Sequence, residues 1–349
     1  MTAAVISATS VLCPAGSGVE QTWATLRCGI SRIANSHVIE QGAEPVRMGL
    51  VPENALEQPS PEFDALPLSS RGRRMLRLGA PALRALAKRL DGQPCTLYLG
   101  LPDISVEDAP WMPDFPAWLA EQAGVTLDAH ASRAYAYGRA AALFALQGAL
   151  NAITQDPAQQ IVVGGVDSFL DLALLARLSE ERRILGPNSM DGFLPGEGAA
   201  FLILRGTPRA ADTASVALCG AASVADPGHR YGTEPARGEG LSDAIEAMRR
   251  EYGDPRQPIA TTFAGINGES FDAKLWGVAN VRHSTVFAPA LNVEHPADCI
   301  GDTGAACGAI LASLAVHTLA KSQRPGPALV WAASDRETRA CALFDREGA

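Results

Sequence analysis

Short runs of β-branched and other apolar residues alternate along the chain with longer segments rich in alanine and leucine. The runs at Ala3–Ile6, Thr96–Gly100, Ile161–Val166, Ala199–Leu204, Val216–Gly220, Pro258–Phe263 and Ala328–Ala333 predict strands. The segments Leu76–Leu90, Ala134–Ile153 and Gly308–Ala320 predict helices, each with small residues that permit close packing. This alternation is the signature of an α/β protein whose sheet is covered by helices. Pro- and Gly-containing stretches at 40–70 and 102–116 read as loops, and the polar stretch RGTPRAADTA follows the run ending at Leu204. We therefore expect two halves, 1–205 and 206–349. No short-period repeat is present, and duplication between the halves is not visible in the residues.

Composition narrows the class. With 349 residues, 47% hydrophobic and 19% charged, the chain has enough apolar surface for a large core, which excludes disorder for its bulk. The net charge is −9 and the basic residues come in short groups such as Arg71–Arg77, which argues against nucleic acid as a partner. No Lys or Arg precedes Arg27, so the opening lacks the cationic start of a signal peptide. Apolar stretches such as GAAFLIL and ALVWAA are far below the roughly 20 residues of a membrane helix. A soluble, cytoplasmic protein is expected. The seven cysteines include no CxxC pair and no zinc-like spacing, so a reducing compartment, no metal and no cofactor are expected.

Some local chemistry is readable from the residues alone. Gly192, Gly196 and Gly198 bracket Glu197, and glycines so spaced permit tight turns into a strand. Glu197 is then either a buried ion-pair partner or a turn carboxylate in water. At GDTGAACGAILA, Gly and Thr precede an Ala-rich helix, whose first N–H groups either point into a pocket or only accompany close packing.

Four stretches taken in order resemble the β-ketoacyl synthase branch of the thiolase-like superfamily. VISATSVLCPAGSGVEQTWATLRCGISRI is similar to that family's first strand, turn and helix, and IVVGGVDS to its central strand. GPNSMDGFLPGEGAAFLILR resembles the segment PFD…DGFVxGEGAxxLxLE, and IGDTGAACGAILA the GHTxGAAGA turn and helix. The resemblance implies a thiolase-like fold, two αβαβα halves forming a five-layered core, usually assembled as a dimer by strand pairing between subunits.

It also implies where a condensing site would lie. Decarboxylating condensation needs a thiolate at a helix start and imidazoles to stabilise the enolate. The nucleophile segment matches SRAYAYGRAAALFAL, and counting back three from Gly138 places the nucleophile's position on Tyr135. The two histidine positions fall on Asn267 and Asp302, the lysine position on Ala297, and the gating turn on Ser334–Thr338. Phenol is a weak acid, asparagine cannot shuttle a proton, and a carboxylate repels an enolate. None of these positions keeps the family's chemistry. Asn267, Glu269, Ser270, Asp272 and Asp302 are expected to form a polar floor facing Tyr135 and Arg133, either binding a polar ligand or satisfying itself. Cys307 at the next helix start reads as an activated thiol or as an inert core cysteine. Of the histidines, His283 and His295 are expected in loops. No GxSxG, Ser/His pair, P-loop or GxGxxG stands out.

The expected protein is a catalytically degenerate ketosynthase-like accessory, adaptor or scaffold, assembled as a homodimer and linked to a protein partner such as a type VI secretion effector. Two alternatives stand beside it: a remodelled acyltransferase, hydrolase or 3-oxoacyl-ACP synthase-type enzyme using Cys307 or Tyr135 with Asp302, and a chain-length-factor-like partner of an active synthase. Greater length in chain-length-factor subunits, and a second half that diverges most from the family, place that alternative second.

Overall fold

The computed structural model describes residues 3–39, 44–90, 92–105, 108–187, 189–207 and 216–346. Along the chain come β1 (Ala4–Cys13), β2 (Gly16–Ser17), α1 (Val19–Arg27), β3 (Ile33–Ile39), β4 (Pro45–Gly49), α2 (Ser70–Arg84), β5 (Thr96–Leu101) and α3 (Phe115–Ala123). Next are β6 (Arg133–Ala136), α4 (Ala141–Gln155), β7 (Gln160–Ser168), α5 (Leu172–Glu180) and β8 (Glu197–Arg205). The rest comprises β9 (Val216–Ala225), α6 (Gly240–Tyr252), β10 (Ile259–Ala264), α7 (Ser270–Arg282), β11 (Phe287–Glu294), α8 (Ala297–Ile300), α9 (Cys307–Ala320), β12 (Ala328–Ala333) and β13 (Thr338–Arg346).

One strand order occurs twice. The first set runs β6-β5-β7-β8-β1 and the second β11-β10-β12-β13-β9, and in each set the fourth strand listed is antiparallel to both its neighbours. The two sets join where β1 pairs antiparallel with β9 through Ala4–Ile6 and Val216–Leu218. Duplication that the residues hide is therefore plain in the topology. α4 and α9 lie between the sets: α4 touches β5 and β7 as well as β9 and β13, and α9 touches β8 and β12. With α2 and α3 outside one set and α6 and α7 outside the other, the mixed α/β architecture has the five layers of the thiolase-like fold.

The core follows from this layering. Every residue of β8 is buried, because both of its faces are covered. Ala200, Leu202 and Leu204 join the cluster around α4 and α9, while Ala199, Phe201 and Ile203 join the one beneath α2 and α3. α9 is buried continuously from Gly308 to Val316, as a helix apolar on every side must be. The buried alanines of α4, at 141, 142, 145 and 149, leave little side chain between helix and sheets.

Several boundaries differ from expectation. Residues 134–153 do not form one helix: Arg133–Ala136 is an edge strand, and a single 3₁₀ turn at Gly138–Ala140 precedes α4. The alanine run hid this break, which Gly138 makes possible with φ 53°. α2 begins at Ser70, where the Ser69 hydroxyl accepts from the Gly72 N–H, and it ends at Arg84 rather than Leu90. The expected loop at 102–116 holds the fully buried Trp111 and the start of α3, and the stretch at 40–70 holds β4. Part of RGTPRAADTA, residues 208–214, lies outside the described residues. No helix among the described residues is long and apolar enough to cross a membrane.

Candidate functional site

The starts of α4 and α9 meet where the two strand sets converge. Each helix is preceded by a 3₁₀ turn, Gly138–Ala140 and Gly304–Ala306, whose glycine has φ 53°. A side chain on Gly304 would collide with the Asp167 carboxylate, and a Cβ on Gly138 would lie 2.6 Å from Asp103 Oδ2. The turn before α9 is braced by the DGFLPGEGA segment, where the Asp302 N–H donates to the Leu194 carbonyl at 2.8 Å. Gly49 and Gly196 let backbone approach Ile300 at a distance no side chain allows.

Arg139, between Gly138 and α4, is 5% exposed. Its Nη1 donates to Asp302 Oδ2 at 2.8 Å, its Nε to the Ala333 carbonyl at 3.0 Å and its Nη2 to Asp335 Oδ1 at 3.0 Å. Asp302 also accepts from Asn267 Nδ2 at 2.9 Å and from the Gly304 N–H at 2.8 Å. Asn267 Nδ2 reaches Glu269 at 3.1 Å, and Arg183 grips both Glu269 oxygens at 2.9 and 2.7 Å. Arg183 also holds Asp335 at 2.7 and 2.9 Å, and Arg230 lies 3.0 Å from Glu269. Asp272 is fully buried, 3.5 Å from Arg139.

Electrostatics match these contacts. Burial opposes charge on Arg139, but Asp272, Asp302, Asp335 and Glu269 more than compensate and hold its pKa well above the ordinary value. Burial likewise opposes charge on Asp335, and Arg139, Arg183 and Arg230 reverse that, holding it well below the usual carboxylate range. Burial, reinforced by Asp302, pushes the Cys307 thiol far up. The helix-start amides are engaged as well, the Ala305 N–H donating to Asp167 Oδ2 at 2.8 Å and the Gly304 N–H to Asp302.

Of the residues singled out by sequence, Asn267, Glu269, Asp272 and Asp302 come together. Cys307 and Ala297 border the same corner, sharing with Asn267 and Asp302 a cavity of about 20 Å³. Tyr135 and Arg133 do not face them. Tyr135 lies on the edge strand β6, its ring 5.8 Å from Tyr98 and 5.5 Å from Phe144, and Arg133 is exposed with its guanidinium on the His130 and Ser132 carbonyls. Ser270 turns instead to Asp191. The expected facing fails because the 3₁₀ turn intervenes: the side chain at the helix start is Arg139, four residues beyond Tyr135.

Arg139, Arg183 and Arg230 were not foreseen, and Asp335 was singled out only as part of the gating-turn position Ser334–Thr338. The one available signal was Arg139 itself, an arginine between Gly138 and an apolar helix. A second cavity, about 60 Å³, lies among Asp103, Arg139, Asp167 and Asp335. Both are far below the roughly 300 Å³ of a small ligand site. Glu197 takes the first of its two readings: it is buried and accepts from Arg74, Ser168 and the Val51 N–H.

His283 lies between elements as expected, in the turn that follows α7, and is buried there with Nε2 3.1 Å from Ser242 Oγ and 2.9 Å from the Ser242 carbonyl. Its Nδ1 faces Arg249 at 3.2 Å, where an acid–base triad would place a carboxylate. Among the described residues no group of His, Cys, Asp and Glu could hold a metal ion.

No protein-family model and no curated protein matches the chain. Solved structures do. A mutant form of the ketosynthase from module 6 of the bacillaene synthase from Bacillus subtilis 168 matches with a TM-score of 0.79 at 16% identity, over 99% of this chain and 72% of that one. The ketosynthase ApeO in complex with its chain length factor ApeC, from Xenorhabdus doucetiae, matches with a TM-score of 0.78 at 16% identity, over 99% and 98%. The ishigamide ketosynthase/chain length factor matches with a TM-score of 0.74 at 18% identity, over 99% and 100%. At such identities the likeness is one of fold, and the chain has the thiolase-like fold of ketosynthases.

Proposed function

We propose that this protein is a ketosynthase-fold chain without decarboxylating condensation, acting as an accessory, adaptor or scaffold. Arg139 carries the reading. The resemblance calls for a nucleophilic thiol at a helix start, and the start of α4 that faces Asn267 and Asp302 bears a guanidinium bonded to Asp302, Asp335 and the Ala333 carbonyl. Arginine supplies no nucleophile. Asn267 and Asp302 neither shuttle a proton nor favour an enolate, and cavities of about 20 and 60 Å³ hold one or two waters rather than an acyl chain.

The remodelled-enzyme alternative loses support on both its nucleophiles. The Cys307 thiol is held protonated by burial, and burial raises the Tyr135 phenol to about 12. The chain-length-factor reading is supported by the presence, among the matched structures, of ketosynthase and chain-length-factor complexes in which one chain is covered almost end to end. An adaptor for a secreted effector is a further form of the accessory reading.

Assembly through β6 fits both forms. β6 pairs with β5 in unbroken register and presents an open outer edge, whereas β11 at the opposite end carries Pro289 and a register slip that blunt it against pairing. The repeated strand order supports halves at 1–205 and 206–349. Intact-mass measurement after incubation with malonyl and acyl thioesters tests the reading. No acyl adduct is expected, and an adduct mapped to Cys307 or Tyr135 would make the protein an acyl-transfer enzyme.

A further inference from the structure

The cluster joining the starts of α4, α7 and α9 to the β12–β13 turn, buried except at the half-buried Arg230 and Asp335, sets three guanidiniums, Arg139, Arg183 and Arg230, against four carboxyls, Glu269, Asp272, Asp302 and Asp335. With every group ionised, one negative charge is left over. Donors are shared out in the same sense. Asp302 accepts from Arg139, Asn267 and the Gly304 N–H, Glu269 from Arg183 and Asn267, and Asp335 from Arg139 and Arg183. Asp272 has neither oxygen hydrogen-bonded among the described residues, and its side chain is sealed from solvent.

A buried carboxylate without donors is costly, and a buried carboxylic acid far less so. Asp272 is faced by Glu269 from its own helix start, Arg139 from the start of α4, and Asp302 and Cys307 from the start of α9. Asp335 faces it from the β12–β13 turn and Arg339 from β13, Arg339 being paired with Asp226.

We propose that Asp272 is the protonated member of this cluster and that loss of its proton is a switch: it draws Arg139 Nη1, now 2.8 Å from Asp302 and 3.5 Å from Asp272, off Asp302, loosening the tie between α4 and α9. Burial, opposed by Arg139 and reinforced by Glu269, Asp302 and Asp335, pushes the Asp272 carboxyl up to about 6, so the switch works at mildly acidic pH. The inference is independent of the functional reading, since it concerns only the cluster's charge.

The sign follows from linkage. The folded value of about 6 lies above the ordinary 3.8, so the acid form favours folding, and its contribution is complete below pH 4 and lost as pH rises to 6. Asp272→Asn keeps the shape and removes the charge. The ratio of its folding constant to that of the wild type is expected to rise about 100-fold between pH 4 and pH 7 and then level off. Parallel profiles overturn the proposal. Carboxyl ¹³C NMR supplies a second readout: Asp103 is also pushed up to about 6, so the Asp272 signal is the one missing from Asp272→Asn; it should titrate near pH 6, and an Asp272 carboxyl ionised at pH 5 also overturns the proposal.

Discussion

Glu197 at the start of β8 and Asp272 in the first turn of α7 are both at 0% exposure, and the protein serves them in opposite ways. Glu197 receives Arg74 Nε and Nη2 at 2.9 and 2.7 Å, the Ser168 hydroxyl at 2.7 Å and the Val51 N–H at 2.8 Å. Both its oxygens are engaged, and the pair ties α2 to the first strand set. Asp272 sits beside an arginine already committed to two other carboxyls. Burial of a carboxyl thus says little about its role. The supply of donors decides whether the group is a structural tie or a surplus charge. Condensation chemistry needs groups left free to act on a substrate, and around Arg139 the guanidiniums and amide are engaged with the chain's own oxygens.

Arginine replacements press hardest on this contrast. Arg139→Met removes the shared partner of Asp302 and Asp335 and should cost about 3–5 kcal/mol in urea unfolding. Above pH 6, where Asp272 is ionised, adding Asp272→Asn to that variant should return part of the loss, because the surplus charge disappears with it. Glu197→Gln keeps the shape and the Val51 and Ser168 contacts but uncouples Arg74, for a loss of about 2 kcal/mol. A larger loss from Glu197→Gln than from Arg139→Met would reverse the ordering argued above. Smallest in energy is the thiol comparison: Cys307 should alkylate at least about tenfold more slowly than the exposed Cys28, since the thiolate is the reacting form. Faster reaction at Cys307 would mark it as activated.

Much of the fold was legible where burial is two-sided. β12 occupies Ala328–Ala333 as expected, and β7 and β8 contain their predicted runs, because strands covered on both faces must be continuously apolar. Elements with one polar face escaped. α6 and α7 carry charged outer faces, and β13, TRACALFDR, buries Arg339 entirely, which no apolar pattern announces. Asn267, Glu269, Asp272 and Asp302 were legible as a group because two short segments hold them. Arg183, Arg230 and Asp335 come from three distant turns, and an arginine in a turn reads as solvated until the fold closes over it. Tyr135 was misplaced for a local reason: the count from Gly138 ran backwards into β6, whereas the helix starts after that glycine.

The central claim, that no condensing chemistry remains at the start of α4, is tested most directly by the rate of carbon dioxide release from a malonyl thioester at high protein concentration. The account predicts release no faster than with heat-denatured protein. Release above that background, abolished by Arg139→Met, Asn267→Ala or Asp302→Ala, would contradict it and place an active decarboxylating site within the cluster.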